Sequence, residues 1–134
     1  MTLWMLDTNI VSAAVHRRSR MLDARLSATA SDARLCVSSI TFGEARYGAS
    51  HKPQKRHLRT NLDDFFHEVD VLPWTVATAI EYGDLRAEMR RIGKSLQPLD
   101  MLIAAHALEA SATLVTSDRA FRHVPGLTVE DWTA

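Results

Sequence analysis

The stretch Leu3-Trp4-Met5-Leu6-Asp7-Thr8-Asn9 does most to restrict what this chain can fold into. Four apolar residues in a row carry nothing polar out to solvent, the pattern of a strand buried on both faces in a parallel sheet. The run stops at Asp7, and Thr8 and Asn9 are good helix N-caps in front of Ile10-Val11. That order puts Asp7 at the carboxyl end of an interior strand, where ligands of open α/β sheets collect. Taken alone, Asp7 fits an ordinary turn residue better than a site residue.

The same rhythm continues along the chain. A helix through Val15 leads to a basic turn, His16-Arg17-Arg18-Ser19-Arg20, after which Leu22, Leu26 and Ala30 recur at helical spacing as far as Ser31-Asp32. Leu35-Cys36-Val37 predicts a second buried strand ending at Ser38-Ser39. Thr41-Phe42-Gly43-Glu44 has the spacing of a capping box and predicts a helix to about Gly48. Pro53 suits the first turn of another helix, with Leu58, Leu62, Phe65 and Phe66 on its buried side. Val69-Asp70-Val71-Leu72 reads as a third strand, closed by Pro73.

Thr75 to Ile92 is the longest helical stretch. Val76, Ala79, Ile80, Gly83 and Ala87 form its apolar face, with Arg86, Arg90 and Arg91 looking outward. Pro98-Leu99-Asp100 opens a helix to Glu109 that is apolar over most of its circumference. A fourth strand, Thr113-Leu114-Val115-Thr116, is followed by Ser117-Asp118 and a helical turn at Arg119-Ala120-Phe121; Leu127-Thr128-Val129 can add a brief edge strand. Alternating strands and helices predict a three-layer α/β/α fold around a mostly parallel sheet of four to five strands. Right-handed crossovers then bring the strand carboxyl ends to one edge.

The 134 residues fit a single domain, 1–134, able to bury roughly two-thirds of its unfolded surface. Lys plus Arg and Asp plus Glu both number 16, so a nucleic-acid partner has to be argued from local patches. Cys36 is the only cysteine, which excludes an internal disulfide and reads as a small buried hydrophobe. No signal peptide of the usual form opens the chain, and no apolar stretch approaches the ~20 residues of a membrane span. A soluble, cytoplasmic protein is expected.

Four acids stand at matching positions. Asp7 and Asp118 follow strands; Glu44 and Asp100 lie near helix starts. Each also has a local explanation: a turn for Asp7 and Asp118, the capping box with Thr41 for Glu44, the helix dipole for Asp100. Together at one sheet edge they would repel and raise one another's pKa unless a cation neutralised them. Oxygen-only ligation favours Mg²⁺ or Mn²⁺ over zinc. Such a centre suits attack of metal-activated water on a phosphodiester, with no histidine base required. The six histidines show no motif, and His106 reads as a hydrogen-bonded core residue. Basic runs at 16–20, at 51–59 and around Arg86, Arg90, Arg91 and Lys94 are compatible with a polyanionic substrate.

From Leu6-Asp7-Thr8-Asn9 through Ser39-Ile40-Thr41-Phe42-Gly43-Glu44 and Pro98-Leu99-Asp100-Met101-Leu102-Ile103-Ala104 to Leu114-Val115-Thr116-Ser117-Asp118, the chain resembles the PIN-domain ribonucleases, specifically VapC toxins of type II toxin–antitoxin pairs. The tail, Phe121, Pro125-Gly126-Leu127 and Glu130-Asp131-Trp132, is also family-like. The resemblance implies that Asp7, Glu44, Asp100 and Asp118 bind Mg²⁺ and that Asn9 and Thr116 order the acids or the water. It further implies hydrolysis of RNA (a tRNA or an rRNA loop), a VapB antitoxin whose tail blocks the site, and a homodimer. Arg17, Arg86, Arg90 and Arg91 are candidate RNA contacts. Two other readings remain: a non-catalytic PIN domain that binds RNA or protein, and a phospho-receiver module. The second wants paired acids after the first strand and a late Lys, and neither is present. No G-x-S-x-G, Walker A or G-x-G-x-x-G motif occurs.

Overall fold

In the computed structural model, which describes residues 2–29 and 34–134, the apolar runs divide their side chains between two cores. In β1 (Leu3–Leu6), Met5 enters one core and Leu6 the other; in β2 (Arg34–Ser38), Cys36 faces the first, Leu35 and Val37 the second. In β4 (Thr113–Val115), Leu114 and Val115 part in the same way. Successive strand residues point to opposite faces, so an unbroken apolar run requires cover on both sides.

Helices α1 (Thr8–Val15), α2 (Arg20–Thr29), α3 (Ser39–Ser50) and α4 (Arg56–His67) precede β3 (Asp70–Leu72). Helices α5 (Val76–Arg91) and α6 (Pro98–Glu109) precede β4, and a 3₁₀ turn (Arg119–His123) leads to β5 (Val129–Glu130). The core with Leu6 and Val37 takes in Ile10 and Val11 of α1, Leu22 of α2 and Leu62 of α4; the opposite core takes in Leu85 and Met89 of α5 and Met101 and Ile103 of α6. The strand order is β3-β2-β1-β4-β5 and every pairing is parallel. The chain leaves β1 to one side for β2 and β3 and returns on the other for β4 and β5. Between β1 and β4 the winding reverses, leaving a crevice at the carboxyl edge.

Several local expectations are corrected. Asp7, not Thr8 or Asn9, caps α1: its Oδ1 accepts the Thr8 N–H at 2.8 Å. Ser38 caps α3 by accepting the Ile40 N–H, so that helix starts before Thr41, and Glu44 falls in its second turn rather than closing a capping box. Pro53 lies ahead of α4, in the turn before Arg56. Ala30 and Ser31-Asp32 lie outside the described residues.

The largest correction concerns α5. Val76 and Ile80 are 78% and 65% exposed, and Ala79, Gly83 and Ala87 are exposed with them. The inward stripe is Thr78, Tyr82, Leu85 and Met89, also at helical spacing. Larger side chains fill the space over α6 better than alanine and glycine do. Thr78 is tolerated there because its hydroxyl donates to Glu109 Oε1 at 2.7 Å.

Candidate active site

Asp7 directly follows β1 and is 3% exposed. Both its oxygens are engaged: Oδ1 by the Thr8 N–H, Oδ2 by the Thr116 hydroxyl at 2.8 Å. Thr116, at the end of β4, also accepts the Asp118 N–H at 3.1 Å, so one hydroxyl links the acids that follow the two strands flanking the crevice. Asp118 in turn caps the 3₁₀ turn by accepting the Ala120 N–H.

Glu44 reaches the same place from α3. Its Oε1 accepts the Thr8 hydroxyl at 2.7 Å, and that hydroxyl stands 3.3 Å from the Thr41 hydroxyl. Asn9 is exposed, and the residue that orients Glu44 is Thr8. In the sequence Thr8 reads only as a cap, because its bond to Glu44 joins residues 36 positions apart.

Asp100 lies in the first turn of α6. A helix leading into a parallel strand runs against the strand direction, so it begins at the carboxyl edge, and this brings Asp100 to the other acids. The electrostatics record the convergence. Burial pushes Asp7 up to about 6; the bonds from Thr116 and Thr8 oppose that rise, and Asp100 and Glu44 add to it. Asp100 is also raised, by burial first and then by Asp118 and Glu44. Among the described residues no three His, Cys, Asp or Glu side chains form a finished ligand cage. The acids therefore act on one another through their charges rather than through a shared point.

Beside Thr8 and Glu44 a cleft of about 290 Å³ runs between α1, α3 and α4. Its floor includes Val11, Val15, Leu58 and Leu62, and Arg18, Lys52 and the imidazoles of His16 and His51 line it as well. Of the arginines singled out from sequence, Arg17 is exposed after α1, Arg86 donates to the Tyr82 hydroxyl and Arg91 is paired with Glu88. Arg90 is exposed on α5. The cations lining this cleft are thus Arg18 and Lys52, both inside runs that the sequence marked as basic but did not rank.

A family model described as the PIN domain matches residues 4–127. Ribonuclease VapC2 of Rickettsia felis is 32% identical over 131 residues, 97% of this chain and 98% of the relative. The chain belongs to the VapC branch of the PIN-domain family. The tRNA(fMet)-specific endonuclease VapC of Shigella flexneri is 33% identical over 98% of this chain and 99% of its own length. Among solved structures, VapBC2 of Rickettsia felis bound to a DNA fragment from their promoter superposes with a TM-score of 0.92 at 31% identity, covering 98% of this chain and 99% of that one. DNA-bound VapBC of Salmonella typhimurium gives 0.90 at 33%, with the same coverage. The PIN fold expected from sequence is therefore present, with the sheet wholly parallel rather than mostly so. Among the described residues no helix of this PIN domain is long and apolar enough to cross a membrane.

Proposed function

We propose that this VapC-type PIN domain is an Mg²⁺-dependent endoribonuclease toxin that cleaves a tRNA or an rRNA loop and so inhibits translation, with Mn²⁺ as a substitute ion. The observation that carries the reading is the gathering of acids at the β1/β4 crevice: Thr116 joins Asp7 to the backbone of Asp118, Thr8 holds Glu44, and nearby carboxylates add to the burial that raises Asp7 and Asp100. Asp7, Glu44, Asp100 and Asp118 supply hard oxygen donors only, which fits Mg²⁺. That ion is held by one or two carboxylates and keeps several waters, so a finished cage is not needed. Bound there, a divalent cation would supply acidified water and offset the charge on the phosphate under attack.

The chain's own residues set that chemistry up. Thr116 holds Asp7 and the backbone of Asp118 in register, and Thr8 holds Glu44 toward the same space. Arg18 and Lys52 along the cleft offset the repulsion between an acidic centre and RNA phosphates. Arg17 and Arg90 remain further candidates for such contacts. The solved relatives are VapBC complexes, which supports a VapB-type antitoxin as partner, its tail covering the acids. The exposed Val76 and Ile80 of α5 support a homodimer formed through that face.

The purified chain incubated with bulk tRNA should cut it in Mg²⁺ or Mn²⁺ and not in EDTA, and Asp7→Ala should fold yet lose cleavage. Equal cleavage by Asp7→Ala, or cleavage in EDTA, would refute the mechanism. RNA bound tightly with no turnover in either metal would indicate a non-catalytic binding domain. Sequencing RNA 5′ ends after induction identifies the substrate.

A further inference from the structure

Helix α6 is almost wholly apolar along its buried side, where Met101, Ile103, Ala104, Ala105 and Ala107 sit, yet His106 is buried among them at 1% exposure. A leucine would fill that space without a polar group to satisfy. His106 is satisfied by one contact from another element: its Nδ1 lies 2.7 Å from the Oγ of Ser38, itself 0% exposed. Ser38 is the cap of α3, so the bond ties the start of α3 to the last turn of α6. A second tie runs alongside it. The Ser39 hydroxyl accepts the Trp74 N–H at 3.1 Å, and the Trp74 indole N–H donates to the Leu102 carbonyl of α6 at 3.1 Å.

The two helices joined in this way carry Glu44 and Asp100. Each acid is six residues from its end of the Ser38–His106 bond, about 9 Å at 1.5 Å rise per residue. Slippage of α3 against α6 would therefore reach both carboxylates together. Ala45 and Ala49 of α3 pack into the core on the opposite face of the sheet from α6, so the buried hydrogen bond, which holds only at one register, is a direct tie between the two layers.

We infer that His106 is a positioning residue which, through Ser38 and with the parallel Ser39–Trp74–Leu102 link, fixes the separation of Glu44 and Asp100. The inference rests on the reading that these acids bind a divalent cation. Burial holds the imidazole below its ordinary pKa, against the opposing pull of Glu109, so the ring is neutral as it bonds Ser38.

Mn²⁺ titration of the purified full chain, followed by electron paramagnetic resonance, tests it, with thermal melts showing that each variant is folded at the titration temperature. His106→Leu should weaken Mn²⁺ binding about tenfold, the lower range for outer-sphere partners of metal sites. His106→Asn, which places an amide near the Nδ1 position, should restore affinity to within about twofold of the parent. Trp74→Phe, which keeps a ring but loses the indole N–H, should weaken binding about threefold, and it serves as the measurement if His106→Leu does not fold. If a folded His106→Leu or, in its place, Trp74→Phe binds Mn²⁺ like the parent while melting earlier, these contacts serve packing alone and the inference fails. If the parent itself takes up no Mn²⁺, the metal-site reading fails and this inference fails with it.

Discussion

Asp7→Asn should make the metal-free protein more stable, although it removes a residue at the centre of the site. Asp7 is raised from 3.8 to about 6 in the folded state. At about 1.36 kcal/mol per unit, holding it ionised costs the fold about 3 kcal/mol at neutral pH. An asparagine keeps the acceptor for the Thr8 N–H. Its amide nitrogen then faces the Thr116 hydroxyl, which must rotate from donating to accepting, at a cost of about 1 kcal/mol. The net gain is about 2 kcal/mol, or roughly 6–10 °C in Tm for a domain of this size. The sign follows from linkage: a raised carboxylate carries no penalty below its unfolded pKa, accumulates one between about pH 4 and 6, and bears all of it above. Melts in EDTA should therefore show the variant ahead at pH 7.5, level with the parent near pH 4.5, and slightly behind it by pH 4, where only the lost hydrogen bond remains. Mg²⁺ should raise the Tm of the parent and leave the variant unmoved. A variant no more stable than the parent at pH 7.5, or a gap that ignores pH, would refute the account of Asp7 as a charge held at a cost.

Two further outcomes follow from single contacts. Thr8→Val keeps the shape of the side chain but frees Glu44, so RNA cleavage should fall ten- to a hundredfold, on the order expected for partners of metal ligands, with Tm nearly unchanged; unaltered cleavage would remove Thr8 from the site. Ile80→Glu places a charge in the exposed α5 face and should convert the protein to a monomer by analytical ultracentrifugation, whereas an unchanged sedimentation coefficient would assign self-association to another surface.

The sheet was legible because its information is local. Leu3–Leu6, Leu35–Val37 and Leu114-Val115 are apolar on consecutive residues, and only two-sided burial satisfies that pattern whatever surrounds them. The placing of Asp7 and Asp118 was legible for the same reason, since the polar residues that closely follow a buried strand must lie at its mouth. His106 was rightly read as a hydrogen-bonded core residue, though its partner could not be named. The buried face of α5 was not legible, because two stripes at identical helical spacing compete and the volume over α6 selects between them. The cap of α3 misled for a related reason: Ser38 and Thr41 are both good caps, and the end of β2 selects the first.

Sequence by itself determined the order of strands and helices and placed an acid after β1 and after β4, because hydrophobic periodicity and chain polarity act over a few residues. Only the tertiary structure decided that Glu44 meets Thr8, that Asp100 begins its helix on the same edge as Asp7, and that His106 ties α3 to α6. Those are contacts between elements distant in the chain, and their geometry is set by how whole helices pack on a twisted sheet, which no short window of residues encodes.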